Sequence, residues 1–132
     1  MVNKGMFMYP WDMEENFDAF AANYLATGCN TIVPALSYHH GTVFSPRNKR
    51  VYSLKEGYAA FSPDKGRYSG IQPVAFGEDF RAAYQIREWC QTRGITFTGW
   101  VVYLHNSSLG ERHPDAAMQD AWGNVHTHTL CP

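Results

Sequence analysis

The sequence predicts an α/β fold with a parallel sheet, built from about three strand–helix units. Three apolar runs each break into aromatic, His, Asn or Asp residues, and a helix-like segment separates each run from the next. Parallel strands joined by helical crossovers place their carboxyl ends along one edge of the sheet, where α/β proteins bind their ligands. We therefore expect the three polar clusters to lie close together.

The first unit comprises a strand at residues 5–9 and a helix at about residues 13–27. The strand is followed by Trp11 and by Asp12, which has a glutamate three residues later, as in a capping box. Apolar residues then recur at the spacing of one helical face. Gly28 is the expected end of the helix, because the residue past a helix end often adopts a positive φ.

The second unit comprises a strand at residues 31–36 and a helix at about residues 78–92. The strand ends in Tyr38, His39 and His40. A histidine at a strand end can hydrogen-bond a sugar hydroxyl or orient a carboxylate; the alternative is a histidine bound to nearby backbone. Neighbouring residues of an extended segment point to opposite faces, so we expect at most one of the two histidines to point into a pocket.

The third strand, at residues 95–104, follows Gly94 and ends in His105 and Asn106. Asn offers both donors and acceptors, which suits the vicinal hydroxyls of a sugar. Trp11 lies beyond the first apolar run and is the stacking candidate, although aromatic residues more often pack in a core.

A long connection at about residues 40–76 separates the second strand from the second helix. Loops of this length are unusual in a compact domain unless they are functional. We expect either a lid or subsite wall, or an insertion packed by its own side chains. Further on, the sequence predicts a short helix at residues 114–122, a turn at residues 123–124 and an extended segment at residues 125–130.

The bulk composition fits one domain at residues 1–132. The chain is 45% hydrophobic and 17% charged, so it can bury a core. A net charge of −1 gives no electrostatic signature of nucleic-acid binding, and no apolar stretch has the length of a bilayer-spanning helix. Three Cys without CxxC spacing and an N-terminus without an apolar segment predict a cytoplasmic protein, with a secreted protein whose signal has been removed as the alternative.

Six His raise the question of a metal site. His126 and His128 are spaced to lie on one side of an extended segment, as zinc ligands can. No HExxH motif accompanies them, so we expect no metal and no cofactor. A metal-dependent hydrolase that uses His39 or His40 together with His105, with His113 as an optional further ligand, is a third hypothesis, ranked below the two that follow.

Three parallel strands leave two open sheet edges and incomplete helical cover, whereas parallel sheets are normally buried on both faces. We therefore expect the chain to pair with a complementary barrel part or to form a homo-oligomer.

Several short motifs resemble those of a known family. They are Ser37-Tyr38-His39-His40, Phe44-x-Pro46, Trp100-Val-Val-Tyr-Leu-His-Asn-Ser107, His113-Pro114 and Leu130-Cys131-Pro132. In these motifs the chain resembles the N-terminal part of a family of glycoside-hydrolase-like TIM-barrel proteins. The resemblance covers nearly the whole chain and implies a partial (β/α)8 barrel of about the first three βα units. It also implies a carbohydrate ligand at the strand ends.

The resemblance leaves the catalytic residues unknown. Glycoside hydrolases generally use two carboxyl groups, and in barrel hydrolases these usually come from later strands. We therefore expect this chain to supply part of a carbohydrate pocket, with glycosidic-bond hydrolysis once the remaining barrel completes it. A non-catalytic, self-associating half-barrel is the alternative. The predicted sugar-binding residues are Trp11, Tyr38, His39, His40, His105 and Asn106.

Overall fold

A computed structural model describes residues 2–12, 16–39, 41–45, 49–54, 57–70, 81–102 and 104–131. Within these ranges the protein is a mixed α/β structure. Its helices and strands, in chain order, are β1 (Gly5–Met8), α1 (Phe17–Ala26), β2 (Thr31–Tyr38), β3 (Gly41–Ser45), β4 (Arg50–Leu54), β5 (Tyr58–Ala59), α2 (Arg81–Arg93), β6 (Thr96–Phe97), β7 (Trp100–Val101), α3 (Ser107–Arg112), β8 (Ala117–Gln119) and β9 (Val125–Leu130). Short 3-10 turns lie at Pro10–Asp12, Lys65–Arg67 and Pro114–Ala116.

The chain divides into two compact units, which differ from the strand–helix units predicted from the sequence. From here on, the first and second unit mean these compact units. The first unit comprises Met1–Leu36, Ala60–Pro63 and Ala75–Trp100, and the second comprises Ser37–Ala59, Asp64–Val74 and Val101–Pro132. In the described part of the chain, no helix is both long enough and apolar enough to span a bilayer.

The first unit contains the predicted parallel sheet. β2 pairs in parallel with β1 on one side, where Phe7 lies opposite Val33, and with β6 on the other, where Thr31 lies opposite Thr96. β7 also pairs with β2. The prediction of an α/β fold with a parallel sheet is therefore confirmed, and a (β/α)8 barrel stays a prediction.

The core of the first unit lies between this sheet and both long helices. Met8 and Ile32 from the sheet join Phe20 and Tyr24 of α1, together with Trp89 and its neighbours in α2, in one buried cluster. The ring of Trp89 lies at the centre of the aromatic contacts in this cluster. It meets the ring of Tyr24 edge-on at a centroid distance of 5.6 Å. Burial raises the pKa of Tyr24 to about 12, with smaller contributions from the nearby thiols of Cys29 and Cys90.

The opposite face of the sheet includes the side chain of Phe7. Side chains alternate between the two faces of a strand, so Phe7 points away from the cluster that contains Met8. Phe7 is 66% exposed, and its ring contacts Trp100 edge-on at a centroid distance of 5.5 Å. This face of the sheet is therefore exposed at Phe7, although Ala35 of β2 on the same face is buried.

The ends of the two long helices test the predicted boundaries. α1 is capped by Asn16, whose side chain accepts a 2.9 Å hydrogen bond from the amide of Ala19. The prediction of Asp12 as the cap was wrong: its carboxylate instead accepts from the amide of Tyr9, at 2.9 Å, and fixes the turn after β1. Gly28 and Gly94 have φ values of 66° and 64°, which confirms both as helix stops that need a positive φ.

The second unit consists mainly of antiparallel pairs. β3 and β4 form a hairpin, β5 pairs with the end of β2, and β8 pairs with β9 through an irregular register. The hairpin and β5 fall in the long connection at residues 40–76, so the described part of that segment carries its own strands. α3 packs on β9.

Helix α1 begins later than predicted, at Phe17, and β2 runs two residues further, to Tyr38; one predicted strand and one predicted helix differ more strongly. The predicted strand at residues 95–104 is two short strands, β6 and β7, separated by Thr98 and Gly99. The predicted helix at residues 114–122 is wrong, because only a 3-10 turn forms before β8 pairs with β9. The turn and extended segment predicted at residues 123–130 are confirmed, with Gly123 at φ 84°.

Candidate functional site

The candidate site lies in the second unit, at the point where β2 ends. His39 directly follows β2, and His105 forms an isolated antiparallel bridge with Thr129 of β9. The two imidazole rings meet edge to face, with a centroid distance of 4.6 Å and an interplanar angle of 80°. Residues that are 66 positions apart in the sequence (105 − 39) are thus neighbours in the structure.

Two tyrosines extend this contact on the β2 side. The ring of Tyr38 stacks on His39 at a centroid distance of 4.3 Å and an angle of 25°. Tyr38 lies opposite Tyr58 in the β2–β5 pair, and their rings are 6.4 Å apart. Tyr58 is only 5% exposed, so it supports Tyr38 from the interior, while Tyr38 and His39 remain partly accessible.

Two further histidines extend the contact on the β9 side. His128 lies 6.3 Å from His105, and His126 lies 5.8 Å from His128, both measured between ring centroids. We call these four residues, His39, His105, His128 and His126, the histidine row. The row is drawn from three segments that are distant in sequence, and His105 and His128 are its exposed members.

One end of the row meets a carboxylate. Oδ2 of Asp120 lies 3.3 Å from Nε2 of His126. The same carboxylate accepts hydrogen bonds from the side-chain and backbone N–H groups of Asn124, at 2.8 and 2.9 Å, and from the amide of Trp122 at 3.0 Å. The bonds from Asn124 are the main reason that the pKa of Asp120 is lowered to about 2; those from His126 and Trp122 add to the shift. Asp120 therefore stays ionised near neutral pH and fixes the turn between β8 and β9.

Asn106, which follows His105 of the row, caps a helix. Its side-chain oxygen accepts a 3.0 Å hydrogen bond from the amide of Leu109 and so caps α3. A Cβ at Gly57 would lie 2.5 Å from the side-chain nitrogen of Asn106, so the missing side chain of Gly57 makes room for this amide. The cap fixes Asn106 next to His105, and its contact with a sugar stays a prediction.

Of the other two predicted residues, one belongs to the first compact unit and the other lies outside the described residues. Trp11 belongs to the first unit, is 1% exposed, and stacks on Tyr9 with ring centroids 4.8 Å apart. A sugar could reach the face of Trp11 only if covering residues moved, so its stacking role stays a prediction. His40 lies outside the described residues.

Sequence reasoning did not place Tyr58, His126, His128 or Asp120 in the site. The two histidines carried a usable signal, because residues at i and i+2 of an extended segment share a face. That spacing indicated a pair but not its neighbour, since the contact with His105 depends on how the chain returns. Tyr58 and Asp120 had no comparable signal.

The histidine row does not have the geometry of a metal centre. Among the residues that the structure describes, no three or more His, Cys, Asp or Glu side chains are arranged to hold a metal ion. The alternative of a metal-dependent hydrolase therefore gains no support from this part of the chain. What the row offers is a set of imidazole N–H donors and ring-nitrogen acceptors beside two aromatic rings.

Comparison of the chain with models of known protein families, with curated proteins and with solved structures finds no match.

Proposed function

We propose that the chain is part of a glycoside-hydrolase-like barrel and supplies one wall of its carbohydrate pocket. The observation that carries this proposal is the 4.6 Å contact between His39 and His105, with Tyr38 stacked on His39. Such a wall presents polar groups and an aromatic face together. Ligand sites of α/β proteins form where strand ends meet in this way.

The chemistry of these side chains suits a sugar. An aromatic ring packs against the apolar C–H face of a pyranose, while imidazole nitrogens donate to and accept from its hydroxyls. Tyr38 and His39 supply the first kind of contact, and His39 and His105 supply the second.

Hydrolysis needs more than this wall. The glycosidase mechanism uses a carboxylic acid and a carboxylate on opposite sides of the scissile bond. Asp120, the carboxylate that contacts the row, is already held by the hydrogen bonds of its turn. In this proposal the catalytic carboxyl groups come from the rest of the barrel, as the resemblance implies.

Sugar binding is the direct test. Amide NMR spectra of the protein, recorded during titration with a panel of oligosaccharides, should shift at residues around His39 and His105. The variants His39→Ala and His105→Ala should weaken binding by about tenfold or more, because each removes hydrogen bonds to the ligand. His113→Ala is the matched control, since His113 lies in the same unit but not in the row. A panel that produces no shifts at the row would refute the proposal.

A second experiment tests whether the catalytic carboxyl groups lie outside this chain. The chain alone, assayed against aryl-glycosides, should give no turnover. Robust turnover that survives repurification would show that a catalytic carboxyl pair lies within this chain.

One observation favours a second candidate, a self-associating half-barrel without catalysis. Phe7 is 66% exposed beside Trp100 on one face of a parallel sheet, and such sheets are normally covered on both faces. Light scattering at micromolar concentration should then show a dimer or larger assembly, which Phe7→Ser should dissociate. A monomer in both proteins would exclude this candidate.

A further inference from the structure

Trp122 lies in the turn between β8 and β9 and is 85% exposed, more than any other large apolar residue that the structure describes. Two of the other tryptophans, Trp11 and Trp89, are buried. Single apolar side chains are common on protein surfaces, so exposure alone assigns no site. The turn that presents Trp122 supplies the further observations.

The backbone of this turn is held in place around Trp122. Oδ1 of Asp120 accepts hydrogen bonds from the amides of Trp122 and Asn124, at 3.0 and 2.9 Å. The amide of Gly123 donates to the carbonyl oxygen of Asp120 at 3.0 Å, and Gly123 has a φ of 84°, which favours glycine. The bonds to the ionised carboxylate are charge-assisted. Little backbone entropy is therefore lost when a ligand contacts Trp122.

The same turn also displays polar groups. The indole of Trp122 carries an N–H donor. Asn124 is exposed, and its side-chain nitrogen donates to Oδ2 of Asp120 at 2.8 Å, which orients an amide that also has an acceptor oxygen. A flat apolar ring with a donor and an acceptor in the same turn matches a pyranose, which has an apolar C–H face and hydroxyls around its rim.

The surroundings of Trp122 favour a sugar over a protein partner. Met118 and Val125 are the exposed large apolar residues of β8 and β9. Met118 lies opposite His126, whereas Val125 lies opposite Gln119, so the two side chains point to opposite faces of the strand pair. At most one of them can extend the apolar surface of Trp122, whereas a stable protein interface covers about 800 Å² on each partner.

The turn is continuous with the histidine row. Asp120, whose carboxylate holds the amide of Trp122, also contacts His126 at the end of the row, with 3.3 Å between Oδ2 and Nε2. The turn and the row thus share one carboxylate within one compact unit.

We propose that Trp122 is a second saccharide contact, on which one pyranose of an oligosaccharide stacks while other units of the same sugar chain contact the histidine row. This inference rests on the proposed function, since it extends the same site and makes its ligand an oligosaccharide instead of a single sugar. Stacking favours pyranoses with equatorial hydroxyls, because both faces of such a ring present C–H groups. Oligosaccharides of β-linked glucose have this geometry, so cellohexaose and cellobiose are suitable probes.

NMR titration with cellohexaose tests the contact directly. The chain has four Trp, and Trp122→Phe identifies the indole N–H signal of Trp122 by removing it. Cellohexaose should shift this signal together with the amides around His39 and His105. Trp122→Ala should weaken cellohexaose binding by about threefold to tenfold, the range that one aromatic contact supplies. It should also remove most of the advantage of cellohexaose over cellobiose.

Two further variants control for the loss of apolar surface. Val125→Ala shortens another exposed apolar side chain of the same strand pair and should bind cellohexaose as the unaltered protein does. Trp122→Phe keeps a smaller ring and loses the N–H donor, so its affinity should lie between those of Trp122→Ala and the unaltered protein. Because Trp122 is exposed, both of its variants should keep the amide spectrum of the folded protein.

The outcomes separate this inference from the proposed function. Shifts at the row with an unchanged affinity in Trp122→Ala would overturn the inference and leave the proposed function standing. A shift of the Trp122 indole without shifts at the row would also overturn it, because the two contacts would not belong to one ligand, and it would count against the proposed function as well. An assembly in light scattering without sugar, dissociated by Trp122→Ala, would assign the ring to a protein interface instead.

Discussion

The buried Gly110 of α3 lies directly against the backbone carbonyl of Thr127 in β9. A Cβ built on Gly110 would overlap both the oxygen and the carbon of that carbonyl. Backbone atoms of a paired strand cannot move aside as a flexible side chain can. The contact therefore fixes how closely α3 approaches the strand that carries His126 and His128.

We predict that Gly110→Ala destabilises the protein. Alanine favours a helix over glycine by about 1 kcal/mol, but forcing an atom into a packed interface costs about 1–3 kcal/mol or more. The steric term should win, since the obstacle is backbone. Urea unfolding followed by circular dichroism would show a lower midpoint. Gly70→Ala is the control, because Gly70 is exposed and, among the described residues other than its chain neighbours, no atom would lie within 4 Å of an added Cβ. Equal midpoints for the two variants would contradict the prediction.

Gly57 and Asn106 form a second close pair. An alanine at position 57 would place its Cβ 2.5 Å from the side-chain nitrogen of Asn106 and 3.2 Å from the carbonyl oxygen of Tyr38. Asn106 would have to move and would release its cap on α3, which is worth about 1 kcal/mol. Both Gly57→Ala and Asn106→Ala should therefore lower stability.

A double-mutant cycle tests that mechanism. The combined variant should lose less than the sum of the two single losses, because Asn106→Ala already removes the obstructing amide and the cap. Strict additivity in urea unfolding would show that the two residues act independently and that the strain lies at the Tyr38 carbonyl instead.

Local sequence signals predicted the elements whose formation depends on local physics. Gly28 and Gly94 end helices because only a residue that tolerates a positive φ fits there, and both positions were readable from the sequence. The parallel sheet followed from strand–helix alternation. The prediction of Asp12 as the helix cap failed because Asn16 can also cap a helix. The choice between them depends on where α1 meets the core, at Phe20 and Tyr24.

The structure of the C-terminal segment and of the candidate site could be predicted only with tertiary information. Residues 114–122 have an acceptable helical pattern, yet β8 forms there because β9 offers it a hydrogen-bonding edge. The contact of His39 with His105 could be predicted, because the ends of parallel strands lie along one edge of the sheet. The contact of His128 with His105 could not be predicted, since it depends on β9 returning to His105 through the bridge at Thr129.

The three cysteines should differ sharply in reactivity. Cys90 is fully buried in α2, and burial raises the pKa of its thiol to about 11, whereas Cys131 is exposed. The thiolate is the reactive form, so Cys90 should be inert while the protein is folded. With a thiol-reactive reagent at about pH 8, mass spectrometry should find Cys131 modified first and Cys90 modified only after denaturant is added. Cys131→Ser should remove the fast phase; rapid labelling of Cys90 in the folded protein would contradict the buried position of its thiol.

The turn at Asp120 should make the protein acid-sensitive in a defined range. Hydrogen bonds from Asn124, His126 and Trp122 lower the pKa of Asp120 from its ordinary 3.8 to about 2. Because the folded state favours the ionised form, this stabilisation is fully present above about pH 4 and is lost as the pH falls toward about 2. Carbon NMR of the side-chain carboxyl should give a midpoint near the lower value, and a midpoint at the ordinary one would contradict the hydrogen-bond network.

A variant links the same network to stability. Asp120→Asn should destabilise the folded protein near neutral pH, because the amide cannot accept all the N–H groups that the carboxylate accepts. The difference from the unaltered protein should narrow as the pH falls, since protonation of Asp120 weakens the same bonds. Asp115→Asn, at an exposed position of the same unit, controls for the loss of one negative charge. If the two variants had the same pH profile of unfolding, the loss of stability would come from the change in net charge and not from the turn. The conclusion that Asp120 holds the turn beside His126 would then be wrong.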